Sequence, residues 1–207
     1  IGETEILLYY GKPSPYNVAQ EIYIDMIPVT DYITSGVWQI ILNPTRVVEG
    51  QYDLWLPSEN VLNRGTGFLY PDEEVTLTIP STADKVISVG AYDALTFSYA
   101  SFSGRGYTWQ DERTKPDLVA PGVNVRTTAV GGGVTVVSGT SFATPFVTGA
   151  SALLMEWGIV RGNDPFLYGE KVKAYLRRGA RELPGFGKYP NREVGYGRLC
   201  LERSLPD

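Results

Sequence analysis

The sequence predicts an α/β protein in which a β-rich segment, residues 1–80, precedes a segment built around a parallel sheet, residues 81–207. Three observations carry this. Before residue 80, short alternating runs are separated by Gly and Pro and show no helical period. At Val86-Ile87-Ser88-Val89-Gly90-Ala91-Tyr92 the pattern becomes a short continuous apolar strand, of the kind covered on both faces. Further on, Val134-Thr135-Val136-Val137 leads through Ser138-Gly139-Thr140 into a run whose apolar residues recur every three or four positions.

Taken in order, strands are expected at Thr4–Tyr10, Glu21–Ile27, Val37–Leu42, Tyr52–Leu56 and Glu74–Ile79, which together suggest an all-β sandwich. The Trp and Tyr side chains here alternate with polar neighbours and read as core rather than as a sugar-binding platform. After the strand at Val86, Gly104-Arg105-Gly106 reads as a turn, being too short for a phosphate loop. Lys115-Pro116-Asp117-Leu118-Val119-Ala120-Pro121-Gly122 holds a short strand between two prolines, and Gly131-Gly132-Gly133 a flexible entry to the next. The helix after Ser141 places Phe146, Val147, Ala150, Leu153, Leu154 and Trp157 inward, with Gly149 and Ala152 small enough for a close neighbour. Pro145 is expected in its first turn, where a missing N–H has no consequence. A second helix is expected from Asn163-Asp164-Pro165 to Gly179, with Val172, Tyr175 and Leu176 inward and Lys171, Lys173, Arg177 and Arg178 on a solvated face. The tail, Gly195 to Cys200, reads as a short strand.

Composition narrows function by exclusion. A chain of 207 residues with 43% hydrophobic and 20% charged residues buries a real core. A formal charge of -5 offers no basic surface to nucleic acid. The lone Cys200 forms no internal disulfide, and its neighbours Leu199 and Leu201 suggest a buried thiol. No apolar run is expected to reach the roughly 18 to 20 residues of a membrane span. The chain begins at Ile1 rather than Met, which reads as a processed product or a fragment.

Gly139-Thr140-Ser141-Phe142-Ala143-Thr144-Pro145 is where chemistry is expected. A serine at a helix start has free backbone N–H groups beside it, and the helix dipole favours negative charge developing on a carbonyl oxygen that the hydroxyl attacks. A serine between small residues is also a common structural cap. The nucleophile reading requires a base, normally a histidine held by a carboxylate, and the chain has no histidine. Two nucleophile motifs fit: the α/β-hydrolase elbow, whose acid and histidine follow the serine, and the subtilisin type, whose Asp and His precede it. The stretch after Ser141 contains no histidine, which argues against the elbow.

From Val86 to Leu201 the chain resembles the carboxy-terminal half of a subtilase, a subtilisin-like serine peptidase. The resemblance rests on Val86-Ile87-Ser88-Val89-Gly90-Ala91, Ala100-Ser101-Phe102-Ser103 with Gly104 and Gly106, Lys115 to Gly122, Gly139 to Pro145, Gly149, Ala152-Leu153-Leu154, and Gly195-Tyr196-Gly197, in the family's order. Residues 1–80, through Gly50, Trp55-Leu56-Pro57 and Thr76-Leu77-Thr78-Ile79-Pro80, resemble part of the jelly-roll insert of clostridial germination-type subtilases. The resemblance implies that Ser141 is the nucleophile, that Gly139 and Thr140 build its turn, and that Ala143 and Pro145 keep the turn uncrowded. It also implies that the family's Asp, His and oxyanion Asn lie upstream of Ile1, so that this chain alone is inert. Implied partners are a protein or peptide substrate, the missing half of the peptidase, or another copy of the chain; neither nucleic acid nor membrane is expected. A pseudopeptidase or scaffold keeping the fold is the alternative, and an adhesion or carbohydrate module joined to a dead peptidase a third. No cofactor is expected; calcium, frequent in relatives, has no recognisable carboxylate cluster. The residues leave localisation unknown, while the resemblance favours an extracellular, cell-surface or spore-associated bacterial setting. With upstream strands missing, apolar faces at Val86, Leu118 and Val136 are expected to be exposed.

Overall fold

Residues 1–15, 19–58, 61–106 and 114–206 are described by a computed structural model. The chain divides into two units, Ile1–Val61 and Leu62–Asp207. The alternation noted in the first unit folds into an antiparallel hairpin of β1 (Thr4–Gly11) and β2 (Glu21–Pro28), in register from Thr4↔Pro28 to Gly11↔Glu21. Thr4, fully buried, accepts the Thr34 N–H on its Oγ1 at 2.7 Å and so ties the following segment to the open end of the hairpin.

The expected sandwich is not present: among the described residues of this unit no third strand joins the hairpin. Val37–Leu42 and Tyr52–Leu56 carry strand-forming side chains but have no neighbouring strand to take their N–H and C=O groups, and most of their apolar side chains are exposed. Glu74–Ile79 is likewise irregular and belongs to the second unit. Thr76 and Arg105 exchange hydrogen bonds there, Thr76 N–H to the Arg105 carbonyl and Arg105 N–H to Thr76 Oγ1, each at 2.9 Å. Arg105 also pairs with Glu73 and Glu74. These contacts move the division from the expected residue 80 to Val61.

In the second unit β3 (Val89–Asp93) is the central strand. It pairs antiparallel with β4 (Ser98–Tyr99) and parallel with β5 (Leu118–Pro121), in register from Val89↔Leu118 to Tyr92↔Pro121. The tail adds a parallel bridge at Val119↔Arg198 in place of the expected strand, then enters α3 (Leu201–Ser204). Cys200, expected to be buried, is half-buried just before it. β6 (Val125–Thr128) and β7 (Val134–Val137) form an antiparallel hairpin whose tip contains Gly131-Gly132-Gly133.

α1 (Thr140–Met155) follows and continues into a π turn, Glu156–Val160. It packs on β3 and β5 through Ala143, Val147, Ala150 and Leu154, whose spacing of four, three and four makes a single stripe. The expectation that Phe146 and Leu153 face inward and that Gly149 meets a close neighbour is corrected: Phe146 is 44% and Leu153 52% exposed, and a Cβ at Gly149 would meet nothing within 4 Å. A second correction concerns the membrane. Thr140–Val160, 21 residues with mean hydropathy 1.2, is long and apolar enough to cross one by length and composition, although its buried stripe lies in the core of this unit.

α2 (Gly169–Gly179) begins later than the Asn163-Asp164-Pro165 signal suggests. Asp164 does not cap; its carboxylate accepts from Lys171 Nζ at 2.6 Å and Tyr175 Oη at 2.8 Å. Those bonds hold its carboxyl below the ordinary range, since they favour the ionised form. The folded chain therefore binds this proton less tightly than the unfolded one. The stability so contributed is present above the ordinary carboxylate pKa of about 3.9 and is lost as pH falls from there through the lower folded value. Asp164→Asn is expected to flatten the fall in urea midpoint between about pH 5 and pH 3; equal slopes for the two proteins would contradict this.

The basic face of α2 is the larger surprise. Lys173 is buried, and with Lys115 and Arg177 it surrounds the fully buried Asp117. Asp117 Oδ1 takes Lys173 at 3.3 Å and a two-pronged contact from Arg177, while Oδ2 accepts the Ser88 N–H at 2.6 Å. Lys115 and Lys173 each also donate to the Val86 carbonyl at 2.9 Å. Burial pulls the Lys115 ammonium below its ordinary pKa, against the opposing attraction of Asp117. One carboxylate thus locks α2 to the start of β5.

Candidate active site

β7 delivers the chain to Ser138 and Gly139, and the turn into α1 is made by Gly139, whose φ of 150° and ψ of 156° are open chiefly to glycine. The turn is seated on the end of the sheet. Gly139 N–H donates to the Gly122 carbonyl at 2.8 Å, and Gly122 N–H donates to Tyr92 at 3.0 Å. Gly122 must be small: a Cβ there would lie 2.6 Å from Ala91 Cβ and 3.0 Å from the Gly139 oxygen. Beside this seat, Asn124, in the left-handed region at φ 52°, donates its N–H to Ser138 Oγ at 2.9 Å. Neither Gly122 nor the Asn124–Ser138 pair was identified from the sequence; the only signal was the Lys115–Gly122 segment ending just ahead of them.

Gly139 caps α1 without a side-chain bond, and the first turn carries no acid. Thr140 and Ser141 open the helix, where their N–H groups have no acceptor in the α-helical ladder and the dipole is positive. Ser141 is exposed, Thr140 half-buried, and Ala143 fully buried beneath them. Pro145 is inside the helix rather than in its first turn, since α1 starts at Thr140. Its missing N–H deprives the Ser141 carbonyl of a helical donor. Thr144 Oγ1 binds the preceding carbonyl, that of Thr140, at 3.0 Å.

Gly139, Thr140, Ser141, Ala143 and Pro145 thus share one turn and helix start, with Ser141 and Pro145 exposed. The arrangement sets a hydroxyl beside helix-start N–H groups at the positive end of the helix, which is what a serine nucleophile would require. The chain supplies no imidazole to take the proton. The concavity lined by Leu8, Tyr9, Tyr10, Gly11, Glu21 and Tyr23 and that lined by Asp84, Lys85, Glu170, Lys173, Ala174 and Arg177 both exclude Ser141. Among the described residues no three His, Cys, Asp or Glu side chains gather as a metal-binding group.

Comparison with known proteins gives the class its family. The model of the subtilase family matches residues 69–197. The chain is similar to the membrane-bound transcription factor site-1 protease of Mus musculus, with 39% identity over 134 residues, covering 62% of this chain and 12% of that protein. It is similar to serine protease AprX of Bacillus subtilis (strain 168), with 34% identity over 156 residues, 66% of this chain and 33% of that protein. The solved structure of the Clostridium perfringens CspB protease matches at a TM-score of 0.80 and 42% identity, covering 99% of this chain and 42% of that one. The chain belongs to the subtilase family. The likeness to the clostridial structure covers both units, in keeping with the resemblance noted for residues 1–80. The chain spans between about an eighth and two fifths of the length of these relatives.

Proposed function

We propose that this chain is the serine-bearing portion of a subtilisin-type serine endopeptidase acting on a protein or peptide substrate. The observation that carries the reading is Ser141 exposed at the positive end of α1, within the family-matched region of a chain that has no histidine. Ser141 Oγ attacks the scissile carbonyl, and its own N–H with the helix dipole receives the negative charge of the tetrahedral intermediate. A histidine from an upstream segment takes the hydroxyl proton and returns it to the leaving amine. An upstream Asp orients that histidine, and an upstream Asn completes the oxyanion site. Without those groups the chain is inert. The test is hydrolysis of a denatured protein by this chain alone and by a polypeptide extended upstream to include an Asp and a His. Activity is expected only in the second, and an extended polypeptide that folds yet cleaves nothing would favour a pseudopeptidase.

The exposed apolar surface supports a second part of this reading, that the upstream half or another copy covers α1. Phe146, Leu153 and Met155 are exposed, and Val136 is 57% exposed on β7. Leu118, by contrast, is fully buried, because β5 lies between β3 and the tail and is covered by α1, so the expectation of exposure there was wrong. The chain alone is expected to self-associate on size-exclusion chromatography and to bind a hydrophobic dye; a compact monomer without dye binding would refute this.

A further inference from the structure

The hydrogen bond between Asn124 and Ser138 has no part in the hairpin ladder, yet it lies where the ladder would continue. β6 and β7 are registered up to Val125↔Val137, so Asn124 and Ser138 are the next opposed positions. Asn124, at φ 52°, has left the strand conformation. Its N–H finds the Ser138 hydroxyl instead, at 2.9 Å. One residue further on, Gly139 N–H is held by the Gly122 carbonyl at 2.8 Å. Ser138 accepts while Gly139 donates, so the two residues just ahead of Thr140-Ser141 are pinned at two points to Gly122–Asn124. Beyond the last ladder pair, Val125↔Val137, these two bonds at successive residues hold the direction in which the chain enters α1 more closely than the Gly139 bond alone would.

We infer that Ser138 is a positioning residue for the nucleophile, its hydroxyl setting the angle of the turn and hence where Ser141 Oγ and N–H point. This rests on the reading of Ser141 as nucleophile. The expected effect follows from two general magnitudes: one exposed hydrogen bond is a modest interaction, and small misplacements of a reacting group are costly in rate. Ser138→Ala is expected to slow acylation about tenfold, lowering kcat by that factor with KM unchanged, because the hydroxyl is spent on Asn124 rather than on substrate. Ser138→Thr keeps the acceptor and is expected to restore the rate.

The test uses the polypeptide extended upstream to include the histidine, with a fluorophosphonate as probe and the labelling rate normalised to folded protein. Slow labelling in S138A with recovery in S138T supports positioning. Parental labelling in S138A, even with a lowered melting temperature, overturns it, as does equal slowing in both variants. If S138A does not fold, Ser138→Cys, with its weaker acceptor, takes its place against S138T under the same criteria. Ser141→Ala run in parallel separates the two levels: continued labelling there overturns the nucleophile assignment itself.

Discussion

Replacing Ser141 by alanine in the upstream-extended polypeptide is expected to lower kcat by about a millionfold, the loss known when subtilisin-type triads lose their nucleophile. The substitution removes one exposed oxygen. Neither the seat on Gly122 nor the buried stripe of α1 involves the Ser141 side chain, so the folded state should persist. KM is expected to change little, because the hydroxyl reacts with substrate rather than holding it. The residual rate expected is about 10³ to 10⁴ above water, from oxyanion donors and binding alone. The check is kcat and KM on a peptide substrate alongside the urea midpoint. A loss of activity matched by a loss of folding would show that the Ser141 side chain serves the fold and would remove the support for its role as nucleophile.

The second large effect is on stability. Asp117→Ala is expected to destabilise the chain by about 3 to 5 kcal/mol, the usual consequence of removing one partner from a buried ion cluster. The carboxylate is fully buried and faces Lys115, Lys173 and Arg177, and it also accepts the Ser88 N–H. Its loss leaves two buried ammonium groups with carbonyl oxygens alone and a buried amide without an acceptor. Asp117→Asn keeps an acceptor near Ser88 and should cost less. Replacing Asp117, Lys115, Lys173 and Arg177 together by apolar residues of similar volume is expected to recover part of the loss, since well-packed apolar substitutes for whole buried ion groups are often neutral. Urea midpoints at neutral pH measure all three; a midpoint for Asp117→Ala within error of the parent would show that the cluster contributes nothing.

The helix after Ser141 was legible because its residues recur at the helical period whatever surrounds them, and the strand expected over Val86–Tyr92 was legible only in its second half, since the run becomes a strand at Val89–Asp93. The exposure of Phe146 and Leu153 was not legible, since periodicity marks an apolar position without saying which chain covers it. Lys173 and Arg177 were misplaced for the opposite reason. On a helix with Lys171 and Arg178 they look like solvated charges, and only the fold brings Asp117, distant in sequence, beneath them. Val37–Leu42 and Tyr52–Leu56 have strand composition without strand partners, a fact that local sequence does not contain. At the candidate site, the serine and its glycine turn were readable as a motif. The seat at Gly122 and the Asn124–Ser138 bond required two loops to be brought together.

The most direct measurement is fluorophosphonate labelling followed by mass spectrometry of the modified peptide, made on this chain alone and on the polypeptide extended upstream to include a histidine. An adduct on Ser141 that forms rapidly only in the extended polypeptide is the expected result. An adduct on another residue, or equally rapid labelling of Ser141 in the chain without any imidazole, would contradict the assignment of Ser141 as a nucleophile whose base lies upstream.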